Sequence, residues 1–211
     1  MDKISIVTVC YNCESVIENT LNSIVDQTYS NKELIVVDGA SKDSTYSYVQ
    51  KVSNLISMKS VSEPDKGVFD AMNKAAKLCS GDWIIFMNAG DVFYDKFVLD
   101  KVFKDKTYDK SIGVVFGDVL YKGNKMVTTQ NLPFYLNNSK IKQMGICHQT
   151  IFTRTKLVEN IGFDLNYKLA SDYNMMHIIF LNGIKFKHVN VPIAIYDTSG
   201  ISSSNPFRQL K

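Results

Sequence analysis

The chain has 211 residues, of which 45% are hydrophobic and 21% charged, enough to bury the core of one ordinary domain. Its net charge of +3 is spread along the sequence rather than gathered into a basic arm or stripe, which argues against nucleic acid as a partner. The longest apolar stretches, Trp83 to Met87 and Met175 to Leu181, fall well short of the roughly 20 residues that span a bilayer, and no secretion-signal pattern follows Met1. No transmembrane helix is therefore expected, and the cytoplasm is the expected location.

Ile4 to Val9 reads as a first strand, followed by a helix from about Glu14 to Asp26 with Val16, Ile17, Thr20, Leu21, Ile24 and Val25 at helical spacing. Glu33 to Val37 is a second strand, and the turn-and-cap cluster Asp38 to Thr45 starts a second helix. A third strand near Lys59 to Ser62 leads through Glu63-Pro64-Asp65-Lys66-Gly67 into a helix from Val68 to Leu78, and Trp83 to Met87 is a fourth strand. This alternation implies βαβ units and a largely parallel sheet covered by helices, with ligands at the carboxyl ends of the strands.

Beyond about Ile112 the pattern changes. Short strands are expected at Gly113 to Tyr121 and Lys125 to Thr129, then a loop around Pro133 and Asn137-Asn138, a strand-like run from Thr150 to Thr153, and one helix from about Ser171 to Leu181. With no repeat or linker in view, residues 1–211 read as a single domain with halves at about 1–111 and 112–211. Cys10 and Cys13 form a lone C-x-x-C with no second pair, and the four cysteines read as reduced packing thiols rather than a metal or redox centre.

Four polar clusters directly follow four strands: Val9-Cys10-Tyr11-Asn12, Asp38-Gly39, Glu63 to Gly67, and Asn88-Ala89-Gly90-Asp91. One Asp after a strand is usually a helix cap. Several on one edge of a parallel sheet suit nucleotide recognition, which needs acceptors for base and ribose and a means of meeting diphosphate charge. Neither G-x-G-x-x-G after the first strand nor G-x-x-x-x-G-K-[ST] is present, so dinucleotide and P-loop binding lose their main support.

These blocks, with Gly81 to Asp91, Cys147-His148-Gln149 and Ala170-Ser171-Asp172-Tyr173, resemble the family 2 glycosyltransferases, and in particular the branch that builds bacterial surface polysaccharides. The resemblance implies an inverting GT-A fold: a Rossmann-like, mostly parallel sheet with helices on both faces and a smaller acceptor-side region. The first half would bind the nucleotide sugar and the second would carry the acceptor site and base. The implied reaction moves a sugar from a nucleotide sugar, of the UDP type, to a hydroxyl of a glycan or polyprenyl-diphosphate-linked acceptor, with peripheral contact at the inner face of the membrane allowed.

Position by position, the resemblance makes Thr8, Val9, Tyr11 and Asp38 the uracil and ribose pocket, and Asp65 with Lys66 a second nucleotide-binding segment, held in place by Asp70 and Asn73. Asn88 and Asp91 stand at the family's acidic metal motif, where Asn88 joins the donor site and Asp91 alone keeps a carboxylate for Mn2+ or Mg2+. A hard cation is still holdable there if the diphosphate and waters complete its shell. Asp172 matches the family's general base; periodicity alone would equally make it a helix-terminal carboxylate meeting the macrodipole. His148 is a candidate for substrate contact, although a lone His is more often structural. Two alternatives stay open at this point: a sugar-1-phosphate nucleotidyltransferase, although its Gly-rich basic first loop is missing, and a nucleotide-sugar-binding protein without turnover.

Overall fold

The computed structural model describes residues 1–121, 125–127, 134–137, 140–144 and 147–196. Its first half is the expected alternation: β1 (Ile4–Cys10), α1 (Glu14–Val25), β2 (Lys32–Asp38), α2 (Thr45–Lys51), β3 (Met58–Ser62), α3 (Val68–Ala76) and β4 (Trp83–Phe86), followed by β5 (Val92–Phe93) and α4 (Val98–Phe103). The second half comprises β6 (Ile112–Tyr121), β7 (Lys125–Val127), β8 (Phe134–Asn137), β9 (Lys140–Met144), a 3-10 turn at His148–Thr150, β10 (Ile151–Arg154), α5 (Thr155–Ile161), α6 (Ser171–Leu181) and β11 (Lys185–Tyr196). Asn137, expected in a loop, ends β8 instead, while residues 128, 129, 133 and 138 lie outside the described residues.

The main sheet runs β3-β2-β1-β4-β10-β6-β11-β5, with β7 paired to β6, and β8 and β9 form a separate ribbon. Along that path β10 and β5 are reversed and the other six strands share one direction, which is the mostly parallel α/β sheet expected. Every residue of β1 is buried because helices cover both faces, so β1 reads as an unbroken apolar run rather than an alternating one. Alternation is present all the same. Ile4 and Ile6 of β1, with Trp83 and Ile85 of β4, face the core under α1, α2 and α4, while Val7, Val9, Ile84 and Phe86 face the core under α3, α5 and α6.

Helix α1 buries Ile17, Thr20, Leu21 and Ile24, the spacing of one helical face. Helix α6 buries Met175, Met176 and Ile179 and is thereby held with its N-terminus at the carboxyl edge of the sheet. Chain order reverses around β1: the connection through α1 leads to β2 on one side, and that through α3 leads to β4 on the other. A crevice opens at such a switch point. Among the described residues, no helix is long and apolar enough to cross a membrane.

Candidate active site

At the carboxyl edge the loops after β1 and β2 are tied together by reciprocal bonds. The Asn12 amide donates to Ser41 Oγ at 2.8 Å and the Lys42 amide to Asn12 Oδ1 at 2.8 Å. The Cys13 amide donates to Thr45 Oγ1 at 2.8 Å, and the Ser44 amide donates to Glu14 Oε2 at 2.9 Å. Asn12 adopts φ 46°, a left-handed conformation that Asn tolerates better than most residues. The loop therefore turns sharply and leaves the Tyr11 ring 61% exposed at the rim.

The other first-half candidates separate into rim and support. Thr8 is buried, and its hydroxyl donates to the Met87 carbonyl at 2.9 Å, tying β1 to the end of β4; Val9 faces the α3 core. Asp38 is 0% exposed. Its carboxylate accepts the Ser41 amide at 3.0 Å and the Ser41 and Ser62 hydroxyls, so it organises the β2–α2 turn from beneath the floor. Asp65 stays half-buried at the rim, close to Gly39 and accepting the Gly67 amide at 2.8 Å. Lys66 is exposed, and its backbone is fixed by Asp70 Oδ2 at 2.9 Å. Asp70 thus fastens the Asp65–Lys66 segment as expected, whereas Asn73 does not: both ends of its amide bond the Phe163 backbone at 2.8 Å, joining α3 to the loop after α5.

Residues 88–91 form a tight turn closed by the Asp91 amide on the Asn88 carbonyl at 3.0 Å. Gly90 occupies its third position with φ 104°, where a type II turn demands positive φ. An acidic residue at position 90 would be strained. The Gly90 amide donates to Thr20 Oγ1 at 3.0 Å, which anchors the turn to α1.

The reversed strand β10 completes the site. Because it pairs antiparallel to β4, with Phe152 opposite Ile85, its first residues arrive beside the end of β4, and the 3-10 turn places His148 and Gln149 against Asn88 and Asp91. Gln149 Nε2 donates to Asp91 Oδ2 at 3.0 Å, and Asp91 is only 5% exposed. Asn88 Nδ2 lies 3.3 Å from His148 Nε2, and His148 Nδ1 lies 3.4 Å from Asp172 Oδ2 at the start of α6. Burial pushes His148 below the ordinary histidine range, with Asp172 opposing that shift. Burial also raises the neighbouring Cys147 thiol to about 12, so it stays protonated.

Among the described residues, two buried side-chain polar atoms lack a hydrogen-bond partner: Asn88 Oδ1 and Ser171 Oγ. Such atoms are rare and need an explanation. One belongs to the side chain facing His148 and the other to the residue before Asp172. No group of three or more His, Cys, Asp or Glu side chains suited to a metal occurs among the described residues. A hard cation is instead compatible with the Asp91 carboxylate and the unpartnered Asn88 oxygen, provided a ligand supplies further oxygens.

The structure therefore gathers Asn88, Asp91, His148 and Asp172 on one side of the crevice and Tyr11, Asp65 and Lys66 on the other, with Thr8, Val9 and Asp38 supporting them. Gln149 and Gly39 lie in blocks singled out from the sequence but were given no role of their own, and Thr20 was read only as part of the buried face of α1. All four cysteines are free thiols. A separate groove of about 990 Å³ opens at the opposite edge beside Asp2, Tyr108 and Arg154. It holds none of the candidates, and Arg154 there is already stacked 4.0 Å over Trp83 and 3.6 Å from Asp2.

Comparison with known proteins agrees with this fold. The family described as Glycosyl transferase family 2 matches residues 5–162. A PGL/p-HBAD biosynthesis glycosyltransferase of Mycobacterium bovis is 30% identical over 200 residues, covering 93% of this chain and 77% of that one. The Escherichia coli UDP-Glc:alpha-D-GlcNAc-diphosphoundecaprenol beta-1,3-glucosyltransferase WfaP is 27% identical over 215 residues, covering 100% of this chain and 83% of the relative. In solved structures the fold recurs in S. aureus TarS 1-349 in complex with UDP-GlcNAc, with a TM-score of 0.73 at 22% identity over 92% of this chain and 58% of that one. It recurs also in the mannosyltransferase PcManGT from Pyrobaculum calidifontis in complex with GDP-Man and Mn2+, with a TM-score of 0.71 at 18% identity over 92% of this chain and 56% of that one. This chain thus spans less than two thirds of either solved structure.

Proposed function

This chain belongs to glycosyl transferase family 2, and on that premise we propose that it moves a sugar, with inversion, from a UDP-sugar to a hydroxyl of a glycan or polyprenyl-diphosphate-linked acceptor. Residues 1–111 hold the donor and 112–211 supply the acceptor side and base. The observation that carries the reading is the convergence at one switch point of the Tyr11–Asp65–Lys66 rim with the Asn88–His148–Asp172 line. The names of the relatives support the donor and acceptor classes, since WfaP is named for UDP-Glc and a diphosphoundecaprenol-linked sugar. An acceptor of that kind would bring the protein to the cytoplasmic face of the membrane.

In this mechanism the nucleotide lies against Tyr11 and Asp65, with Thr8, Val9 and Asp38 holding the floor. Lys66, an exposed cation on the same rim, meets phosphate charge. Asp172 takes the proton of the acceptor hydroxyl, whose oxygen bonds to the anomeric carbon from the face opposite the diphosphate. The bond from that carbon to the diphosphate oxygen breaks, and its electron pair leaves with the nucleotide. One displacement inverts the centre. Asp91, with the free oxygen of Asn88, would hold Mn2+ or Mg2+, which when bound would offset charge developing on the leaving diphosphate.

The test is to incubate the protein and a divalent cation with a panel of UDP-sugars and acceptors, following UDP release and product anomeric configuration by NMR. Acceptor-dependent UDP release with inverted product is expected. Nucleotide binding without release across the panel would instead favour a module without turnover, and pyrophosphate formed from UTP and a sugar 1-phosphate would favour a nucleotidyltransferase.

A further inference from the structure

Resting on the reading of Asp172 as the base, we infer that His148 is a positioning residue for its carboxylate, and that Asn88 selects the histidine tautomer that does this. An amide nitrogen only donates. Asn88 Nδ2 at 3.3 Å from His148 Nε2 therefore makes Nε2 the acceptor. A neutral imidazole carries one N–H, so the proton sits on Nδ1, the atom 3.4 Å from Asp172 Oδ2.

Reversing the Asn88 amide gives an inferior arrangement. Its oxygen would call for a proton on Nε2, and the Nδ1 lone pair would then face an anionic carboxylate. The assigned orientation lets Asp172 remain a charged base while one of its oxygens is held. With Oδ2 steered by His148, Oδ1 is left for the acceptor hydroxyl, and restricting the carboxylate to one orientation is what a base needs for proton transfer in a single displacement. The Asn88–His148 bond is long, and the His148–Asp172 approach is a close contact rather than an aligned hydrogen bond, as is common before substrates close a site.

The role also accounts for an amide where the resemblance leads one to expect an acid. An Asp at position 88 has no N–H to give, and it would draw the histidine proton to Nε2, away from Asp172. The same amide keeps its oxygen buried and without a protein partner.

Two measurements test this. In ¹⁵N-labelled protein near pH 7, long-range imidazole spectra, with the His148 signals identified by their loss in His148→Asn, should show a neutral ring protonated on Nδ1. Asn88→Asp should move that proton to Nε2 or add a second one. In steady-state assays His148→Leu should lower kcat by about tenfold or more while donor KM stays within about twofold. His148→Asn, whose amide nitrogen can stand in for Nδ1, should recover a large part of that loss. A wild-type His148 protonated on Nε2, a tautomer indifferent to Asn88→Asp, or a His148→Leu enzyme with unchanged kcat would overturn the inference alone. A wild-type protein that turns over no donor would sink the reading of Asp172 and the inference with it.

Discussion

A methyl group added to Gly39 would sit 2.6 Å from Asp65 Oδ2 and 3.2 Å from Tyr11 Cδ2. The end of β2 is therefore the surface on which the two rim residues rest, and only a hydrogen side chain lets both approach it. Asp65 Oδ2 is the far end of a movable side chain, so a bulkier residue would shift the rim more readily than the fold. Gly39→Ala should displace Asp65 and Tyr11 and weaken UDP binding, with little change in Tm because Asp65 Oδ2 can move aside. Isothermal calorimetry showing an unchanged Kd would detach Tyr11 and Asp65 from the nucleotide.

Asp38 behaves differently because its carboxylate is buried and already bonded to Ser41 and Ser62. Removing it frees the half-buried Ser41 and the exposed Ser62, whose donors can turn to water. Asp38→Ala should cost about 1 kcal/mol of folding stability, the net worth of a hydrogen bond whose partner can reach water, and should weaken nucleotide binding as the turn loosens. A melt at the wild-type Tm would show that the turn does not depend on it.

Asp91 is the one carboxylate of the 88–91 turn, and Gln149 holds one of its oxygens. The cation it would bind needs oxygens from the donor diphosphate, so metal and nucleotide should bind cooperatively. Chelation should weaken UDP binding, and Asp91→Ala should abolish the difference between metal and chelator. Calorimetry giving the same Kd in both conditions for the wild type would remove the cation from the mechanism.

The first-half strand ends were legible because β-branched runs between Gly-, Asp- and Ser-rich turns leave little choice of element, and a parallel sheet then brings the turns to one edge. Asn88 beside His148, and Asp91 beside Gln149, were not legible as contacts. They depend on β10 entering antiparallel between β4 and β6, and the Thr150 to Thr153 run reads as a strand in either direction. Strand β11 escaped notice for another reason. Pro192 interrupts it, and its pairing to β6 shifts register around that point, as expected of a residue that cannot donate to the ladder. Helix α5 is short, with Thr155 and Val158 as its buried residues, so it offers almost no periodicity; its clearest signal was Gly162, which ends it with φ 67°. Asp38 shows the remaining limit, since spacing places a carboxylate after a strand but does not say whether it turns toward ligand or toward Ser41.

Far from the crevice, Glu33 joins the strands near their amino ends, taking bonds from Lys3 Nζ at 2.7 Å, Ser5 Oγ at 2.6 Å and the Ser80 amide and hydroxyl. Burial alone would raise its carboxyl, but these donors outweigh burial and hold it at about 2, below its reference of 4.5. A depressed carboxylate contributes stability that is complete above the unfolded pKa and lost as pH falls through the folded one. Stability should therefore drop between about pH 4.5 and pH 2 by on the order of 2 to 3 kcal/mol from this group. Glu33→Gln should flatten that part of the pH–stability curve while leaving UDP affinity at pH 7 unchanged. Denaturant titrations with parallel wild-type and mutant slopes across that window would remove Glu33 as the source.

Asp172 opens α6, where a carboxylate also meets the positive end of the helix dipole, so its two possible roles must be separated by a change that keeps shape and removes basicity. Asp172→Asn is nearly isosteric. It retains an oxygen that can accept from His148 Nδ1, and it loses the charge and basicity needed to take the acceptor proton. Donor binding and Tm should stay close to wild type while transfer falls by about 10² to 10⁴, the usual contribution of general-base assistance. A mutant that kept more than about a tenth of wild-type turnover would rule Asp172 out as the base and turn attention to Asp164, in the loop before α6. A mutant that kept turnover per folded molecule but lost several degrees of Tm would assign the carboxylate to the helix terminus instead. Loss of turnover with intact UDP affinity is the single pattern that fits proton removal by Asp172.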